Sequence, residues 1–234
     1  LSGCRPAVTT SVSSRNRLPA FGPPRTTRRG LPGGRASRAA GECASGRGAR
    51  FGDVRSLSGE EVAAVRAYQE ASDPTGLASI EPVHRIINHY FRGRIDSLSE
   101  KNMGIAASLD RTIARTTLGR ETTLFRGTNL QITPGTRPES LVGMTVSDAG
   151  FFSTTTRRSV AENFGGDAGR HAVIRIKAPA GTHGLPVFKV KTGGQFTGTH
   201  GEGEVLLPRG TTVRIIRAKL GQYGIINVDA EIVR

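Results

Sequence analysis

Apolar residues recur at helical spacing between residues 57 and 117, and from Glu121 onward they alternate. No single element satisfies both periods, so a helical region must precede a region of strands. Ser58 and Glu61 stand at the Ser-x-x-Glu spacing of a capping box and open a first helix, which Val62, Val65 and Ala71 carry toward Ser72-Asp73-Pro74. Ser79 caps a second helix that runs to Arg92, is stopped by Gly93, and has Val83, Ile86, Ile87 and Tyr90 on its apolar face. Ser97 with Glu100 opens a third, through about Thr117. Strand-like runs then cover 122–125, 150–154, 172–177, 204–207, 213–218 and 225–233. Helices first and strands afterwards predict an α+β class.

The first fifty residues follow neither period. They hold ten Arg, no Lys and one acid, Glu42, a net +9 of the chain's +14, so the remainder is only mildly basic at +5. Gly, Pro, Ser and Arg without apolar patterning cannot offset the entropy of ordering. Residues 1–55 are therefore expected to be a disordered basic tail or linker, and residues 56–234 the folded domain. Basic stretches without interleaved aromatics hold phosphate only non-specifically, which argues against a nucleic-acid partner. Both cysteines, Cys4 and Cys43, fall in the tail, so the folded part needs neither a disulfide nor a thiol. No run approaches the ~18 apolar residues of a membrane span. The histidines have no zinc-like spacing, and no metal site is expected.

Three segments make chemical demands. In Glu202-Gly203-Glu204-Val205-Leu206-Leu207 two carboxylates enter an apolar strand from a Gly-rich loop, where an ionised group is tolerated only if paired or used. Residues two apart on a strand share a face, so Glu202 and Glu204 can address one ligand. Leu124-Phe125-Arg126-Gly127-Thr128 places an Arg, whose planar fork suits a diphosphate, at the end of a β-prone run. Gly150-Phe151-Phe152 leads into the hydroxyls of Ser153, Thr154, Thr155 and Thr156, followed by a helical stretch from Ser159 to Phe164.

Arginine, then aromatic-x-Ser-Thr-Thr, then Glu-x-Glu, in this order, resembles the Arg-Ser-Glu class of ADP-ribosyltransferases and, within it, the bacterial exoenzyme toxins. The resemblance spans about residues 57 to 233 and implies a helical lobe packed on two roughly perpendicular β-sheets, with an NAD cleft. It implies that Glu204 is the catalytic glutamate, that Ser153 positions it, and that Glu202 serves an arginine acceptor. On the same ground Arg126 and Gly127, Ser153, Thr154 and Thr155 of the second motif, and Phe164 in Asn163-Phe164-Gly165-Gly166 line the NAD site. Ile87-Asn88-His89-Tyr90-Phe91-Arg92 is similar to a helical segment of these toxins, which adds Asn88 and Arg92. Thr155 stands where the family has Ser. The Gly203 between the glutamates departs from the usual residue and suggests a more flexible strand edge.

What the resemblance implies is a mono-ADP-ribosyltransferase that uses NAD as substrate, without a metal. Its partner would be a target protein presenting an arginine, with a delivery or immunity partner besides, and it would be a secreted virulence toxin acting in a target cell. Two alternatives stay open: an NAD glycohydrolase toxin, in which water replaces the acceptor, and a catalytically silent basic binding module.

Overall fold

A computed structural model describes residues 8–9, 54–69, 81–130, 132, 136–164, 171–192, 195–196 and 203–233. In chain order the elements are β1 (Val8–Thr9), α1 (Gly59–Gln69), α2 (Val83–Phe91), α3 (Glu100–Arg115), β2 (Thr122–Asn129), β3 (Thr145–Ser147), β4 (Phe152–Thr155), α4 (Arg158–Asn163), β5 (His171–Ala178), β6 (Leu185–Pro186), β7 (Lys191–Thr192), β8 (Gln195–Phe196), β9 (Glu204–Leu207), β10 (Thr212–Leu220) and β11 (Ile226–Ile232). The α+β class is as expected.

Local chemistry explains the helix ends. Ser58 N–H donates to Glu61 Oε2 at 2.8 Å and Glu61 N–H to Ser58 Oγ at 3.2 Å, the two reciprocal bonds of a capping box. Glu61 also accepts from Arg115 Nε at 2.9 Å and Thr112 Oγ1 at 3.2 Å, so the cap of α1 ties that helix to α3. Burial raises the Glu61 carboxyl, yet the bonds from Ser58 and Arg115 outweigh it and hold the group below its ordinary range. Helix α2 ends in a Schellman turn: Gly93, at φ +65°, donates to Tyr90 O, and Arg94 N–H donates to His89 O. Ser79, expected to cap α2, lies outside the described residues; the helix starts after Pro82. The cap of α3 is Ser99 rather than Ser97, with its side chain accepting from Asn102 N–H at 3.3 Å. Ser97 sits too far upstream to reach the orphan N–H groups of a first turn that begins at Glu100.

Among the described residues nine strands form one ladder in the order β1-β3-β10-β11-β5-β2-β4-β9-β6, and β7 and β8 form a separate hairpin. The expected pair of sheets is thus joined. The join is narrow: β2 pairs with β5 over its whole length, Thr122↔Ala178 to Asn129↔His171, but with β4 only at Phe125↔Thr155. Of the tail expected to be disordered, Val8–Thr9 pairs parallel with Val146–Ser147, and Val54–Ser56 forms one 3-10 turn; its other residues lie outside the described ones.

Strand alternation divides the interior in two. Phe152, Val205 and Leu207 join Leu124, Ile174, Ile176, Val213 and Ile215 in a core between sheet layers. Phe151 and Leu206 instead join Val65, Ile87, Leu109 and Ile113 beneath the helices. Because β9 contributes to both cores, its side chains are sorted by parity, and Glu204, two residues before Leu206, belongs to the helical side. Among the described residues no helix is long and apolar enough to cross a membrane.

Candidate active site

The seam between β2 and β4 is where the expected residues meet. β4 and β9 are antiparallel with Thr155 opposite Glu204, which leaves Ser153 diagonal to the glutamate on the same face. Ser153 Oγ donates to Glu204 Oε1 at 2.7 Å. The carbonyl oxygen of the same residue accepts from Arg126 Nη1 at 3.0 Å. Ser153 therefore links the arginine and the glutamate of separate motifs through its two ends.

Arg126 is held on three sides. Its Nη2 donates to Asp148 Oδ2 at 2.6 Å and its guanidinium lies 4.3 Å from the centroid of Phe152. Asp148 is 3% exposed and among the described residues takes four hydrogen bonds: Arg126, a bidentate fork from Arg92 Nε at 2.7 Å and Nη2 at 2.6 Å, and Gly150 N–H at 3.0 Å. Burial pushes the Asp148 carboxyl up, but the fork from Arg92 and the charge of Arg126 outweigh it, so it stays ionised below its ordinary value. Burial lowers the Arg126 guanidinium, opposed by Asp148. Arg94 joins the group electrostatically. Its guanidinium is lowered by burial and then by the charge of Arg92, and its buried Nη2 has no hydrogen-bond partner among the described residues. Three guanidiniums thus share one carboxylate, an excess of two positive charges that suits a diphosphate.

Several expected site residues occupy supporting positions. Both ends of the buried Asn88 side chain are engaged, Oδ1 by Phe151 N–H at 2.7 Å and Nδ2 with Tyr68 Oη at 2.9 Å, so it braces the entry to β4. A Cβ on Gly150 would lie 2.5 Å from Asn88 Oδ1, which explains the glycine before the two phenylalanines. Thr154 has the opposite parity to Ser153; its hydroxyl donates to Val205 O at 2.7 Å inside the sheet core, on the other face from Ser153. Thr155 shares the face of Ser153 and its Oγ1 accepts from Arg157 N–H at 3.0 Å, turning the chain into α4. Gly127 serves packing: a Cβ there would sit 1.9 Å from the carbonyl oxygen of Ala161, so only glycine admits α4 onto β2. Phe164 caps α4 with its ring 66% exposed, available to a ligand.

Gly203 corrects the expectation of a flexible edge. It is buried at φ +58°, a Cβ would meet Thr156 Oγ1 at 2.4 Å, and its carbonyl accepts Thr156 N–H at 3.0 Å, so this glycine is required by a fixed turn that delivers Glu204 to its strand. Glu202 lies outside the described residues.

Sequence reasoning missed Asp148, Arg94 and Tyr68. Asp148 carried a signal, since an acid two residues before a buried Gly-Phe-Phe needs a cationic partner. Tyr68 Oη is raised above the ordinary phenol range by burial first and then by the charge of Glu204, which places it within electrostatic reach of that carboxylate. Among the described residues no group of three or more His, Cys, Asp or Glu side chains is arranged to hold a metal.

Comparison with known proteins gives the family and the fold. The profile described as ADP-ribosyltransferase exoenzyme matches residues 83–231. The C3 exoenzyme of Clostridium limosum superposes with a TM-score of 0.55 at 20% identity, over 76% of this chain and 87% of that one. C3stau2 of S. aureus, solved with NAD, gives 0.55 at 21% identity over 76% and 89%. Vis of Vibrio splendidus, solved with agmatine, gives 0.51 at 17% identity over 76% of both chains. A search of curated protein sequences finds no match. These structures share the fold of this chain. The chain belongs to the ADP-ribosyltransferase exoenzyme family.

Proposed function

We propose that the protein transfers the ADP-ribosyl group of NAD to an arginine of a target protein, as a secreted toxin acting in a target cell. The observation that carries the reading is the 2.7 Å hydrogen bond from Ser153 to Glu204, made by the residue whose carbonyl takes Arg126. Breaking the bond between nicotinamide and the ribose C1' sends the bonding pair to nicotinamide and leaves an oxocarbenium-like centre, the problem that glycosidases meet with a carboxylate. Glu204, oriented by Ser153, supplies that anion and accepts from the ribose 2'-hydroxyl. A preorganised group of this kind is worth ~10²–10³ in rate. Arg92, Arg94 and Arg126 hold the diphosphate, and the exposed ring of Phe164 covers the nicotinamide side.

The acceptor nitrogen then attacks C1', and its proton must leave as the N-glycosidic bond forms. A guanidinium does not give up a proton unaided. Glu202, two residues before Glu204, receives that proton and orients the acceptor. The spacing Glu202-Gly203-Glu204 supports an arginine acceptor, as does the likeness to Vis, which was solved with agmatine, itself a guanidinium compound. The relatives' names as exoenzymes and toxins support secretion and action on a target protein.

The test is transfer of labelled ADP-ribose to agmatine beside nicotinamide release, on wild type and Glu202→Gln. The proposal expects transfer to be lost in the variant while hydrolysis of NAD by water continues. Nicotinamide release that is indifferent to agmatine in the wild type would make water the acceptor and the protein an NAD glycohydrolase.

A further inference from the structure

We propose a second anion site on the solvent face of the sheet, made by Arg158, Arg175, Arg217 and Lys219 around Asn227, which takes a phosphomonoester or pyrophosphate group. The residues line an open depression of about 250 Å³ together with Val173, Val228 and Asp229. Register brings them together. Arg217, Asp229 and Arg175 are directly opposite one another across β10, β11 and β5, and on the next accessible rung Lys219 stands opposite Asn227. Arg158, from α4, reaches across to bond Asn227 Oδ1.

Charge selects the ligand. Asp229 answers two guanidiniums, Arg175 at 2.7 Å and Arg217 at 2.6 Å, and Glu162 answers Arg158 at 2.7 Å. Lys219 has no ion pair among the described residues. Among the described residues four cations against two carboxylates leave an excess of two positive charges over one small depression. The next charged rung, Arg214, Glu231 and Lys177, is neutralised by Glu231 and by Glu121 beside Lys177. A carboxylate carries half the missing charge and only two oxygens, whereas a phosphoryl dianion matches the charge and offers three acceptors to the guanidinium forks.

The site is separate from the cleft. Arg126 is in register with Ile174 and Phe125 with Arg175, so Arg126 points to the core side of the sheet and Arg175 to the solvent side. A diphosphate bound by Arg126 cannot also occupy the depression. The new site stands whether or not the chain modifies arginine.

The test is calorimetric titration of the full chain with inorganic pyrophosphate at low salt, for wild type, Lys219→Glu and Arg126→Ala, with cosedimentation on phosphatidylcholine vesicles containing either phosphatidylinositol phosphate or an equal charge of phosphatidylserine. Lys219→Glu should weaken pyrophosphate binding about tenfold or more, a change of about 1.4 kcal/mol, while leaving NAD hydrolysis and thermal stability unchanged. Arg126→Ala should retain the Lys219-dependent binding. Retention on the phosphatidylinositol phosphate vesicles alone would name a lipid headgroup as the source; pyrophosphate binding without vesicle retention would name a soluble phosphate. Pyrophosphate binding that Arg126→Ala abolishes and Lys219→Glu leaves intact would overturn the proposal, as would no binding at all.

Discussion

Asp148→Asn removes one charge and almost no volume from the centre of the arginine cluster. The wild-type carboxylate is 3% exposed and among the described residues takes four hydrogen bonds, three of them from guanidiniums. Stripping one partner from a buried ion pair costs ~3–5 kcal/mol because the remaining charge is left uncompensated. Asn keeps one acceptor oxygen, and the arginines retain a little water contact, with side-chain exposures of 16% for Arg92 and 11% for Arg126. A loss of about 2–3 kcal/mol is expected. For a folded domain of this size each kcal/mol lowers the melting temperature by ~2–4 °C, so the variant should melt roughly 4–12 °C below wild type. Differential scanning fluorimetry reads this directly. Because the variant leaves Arg92, Arg94 and Arg126 without a counter-charge, pyrophosphate or NAD should recover more stability in it than in the wild type. The wild-type carboxyl is depressed below its ordinary value near 3.8, so its contribution is present above that pH and lost as pH falls through the lower folded value. Asp148→Asn should flatten that acid limb. An unchanged melting temperature and an unchanged acid limb would refute the cluster.

The remaining predictions follow from single contacts. Gly127→Ala drives a methyl group to 1.9 Å from the Ala161 carbonyl, so α4 must shift, and a loss of ~2 kcal/mol or more by thermal melting is expected. Ser153→Ala and Thr154→Val remove adjacent hydroxyls of opposite parity. The first should lower kcat for NAD hydrolysis by ~10-fold or more with little change in stability, and the second should cost ~1 kcal/mol with kcat unchanged, as judged by kinetics and melting on the same preparations. Gly203→Ala, at φ +58° with Thr156 Oγ1 in the way, should reduce NAD turnover by displacing Glu204, and wild-type kinetics would show that the turn is not required.

Much of this was legible wherever the signal is local. The run Glu204–Leu207 is a strand to the residue because apolar side chains on both parities meet two cores, and Ser58 with Glu61 forms both bonds of its box. Two serines two residues apart compete to start α3, and Ser99 holds the cap by accepting from Asn102 N–H, which the spacing of Ser97 and Glu100 does not reveal. Short strands such as Thr145–Ser147 and Leu185–Pro186 exist only because neighbours pair with them. Within the hydroxyl run at 153–156, alternation alone separates Ser153 and Thr155 from Thr154. Asp148 escaped because its partners lie 56 and 22 residues away, a juxtaposition that only the folded sheet creates.

The central claim is that Glu204, set by Ser153, provides the negative charge that cleaves NAD. Nicotinamide release by Glu204→Gln tests it most directly, since glutamine keeps the size and an acceptor for Ser153 Oγ but removes the anion. Turnover should fall by ~10² or more with the melting temperature unchanged. Wild-type turnover in a folded Glu204→Gln protein would contradict the account.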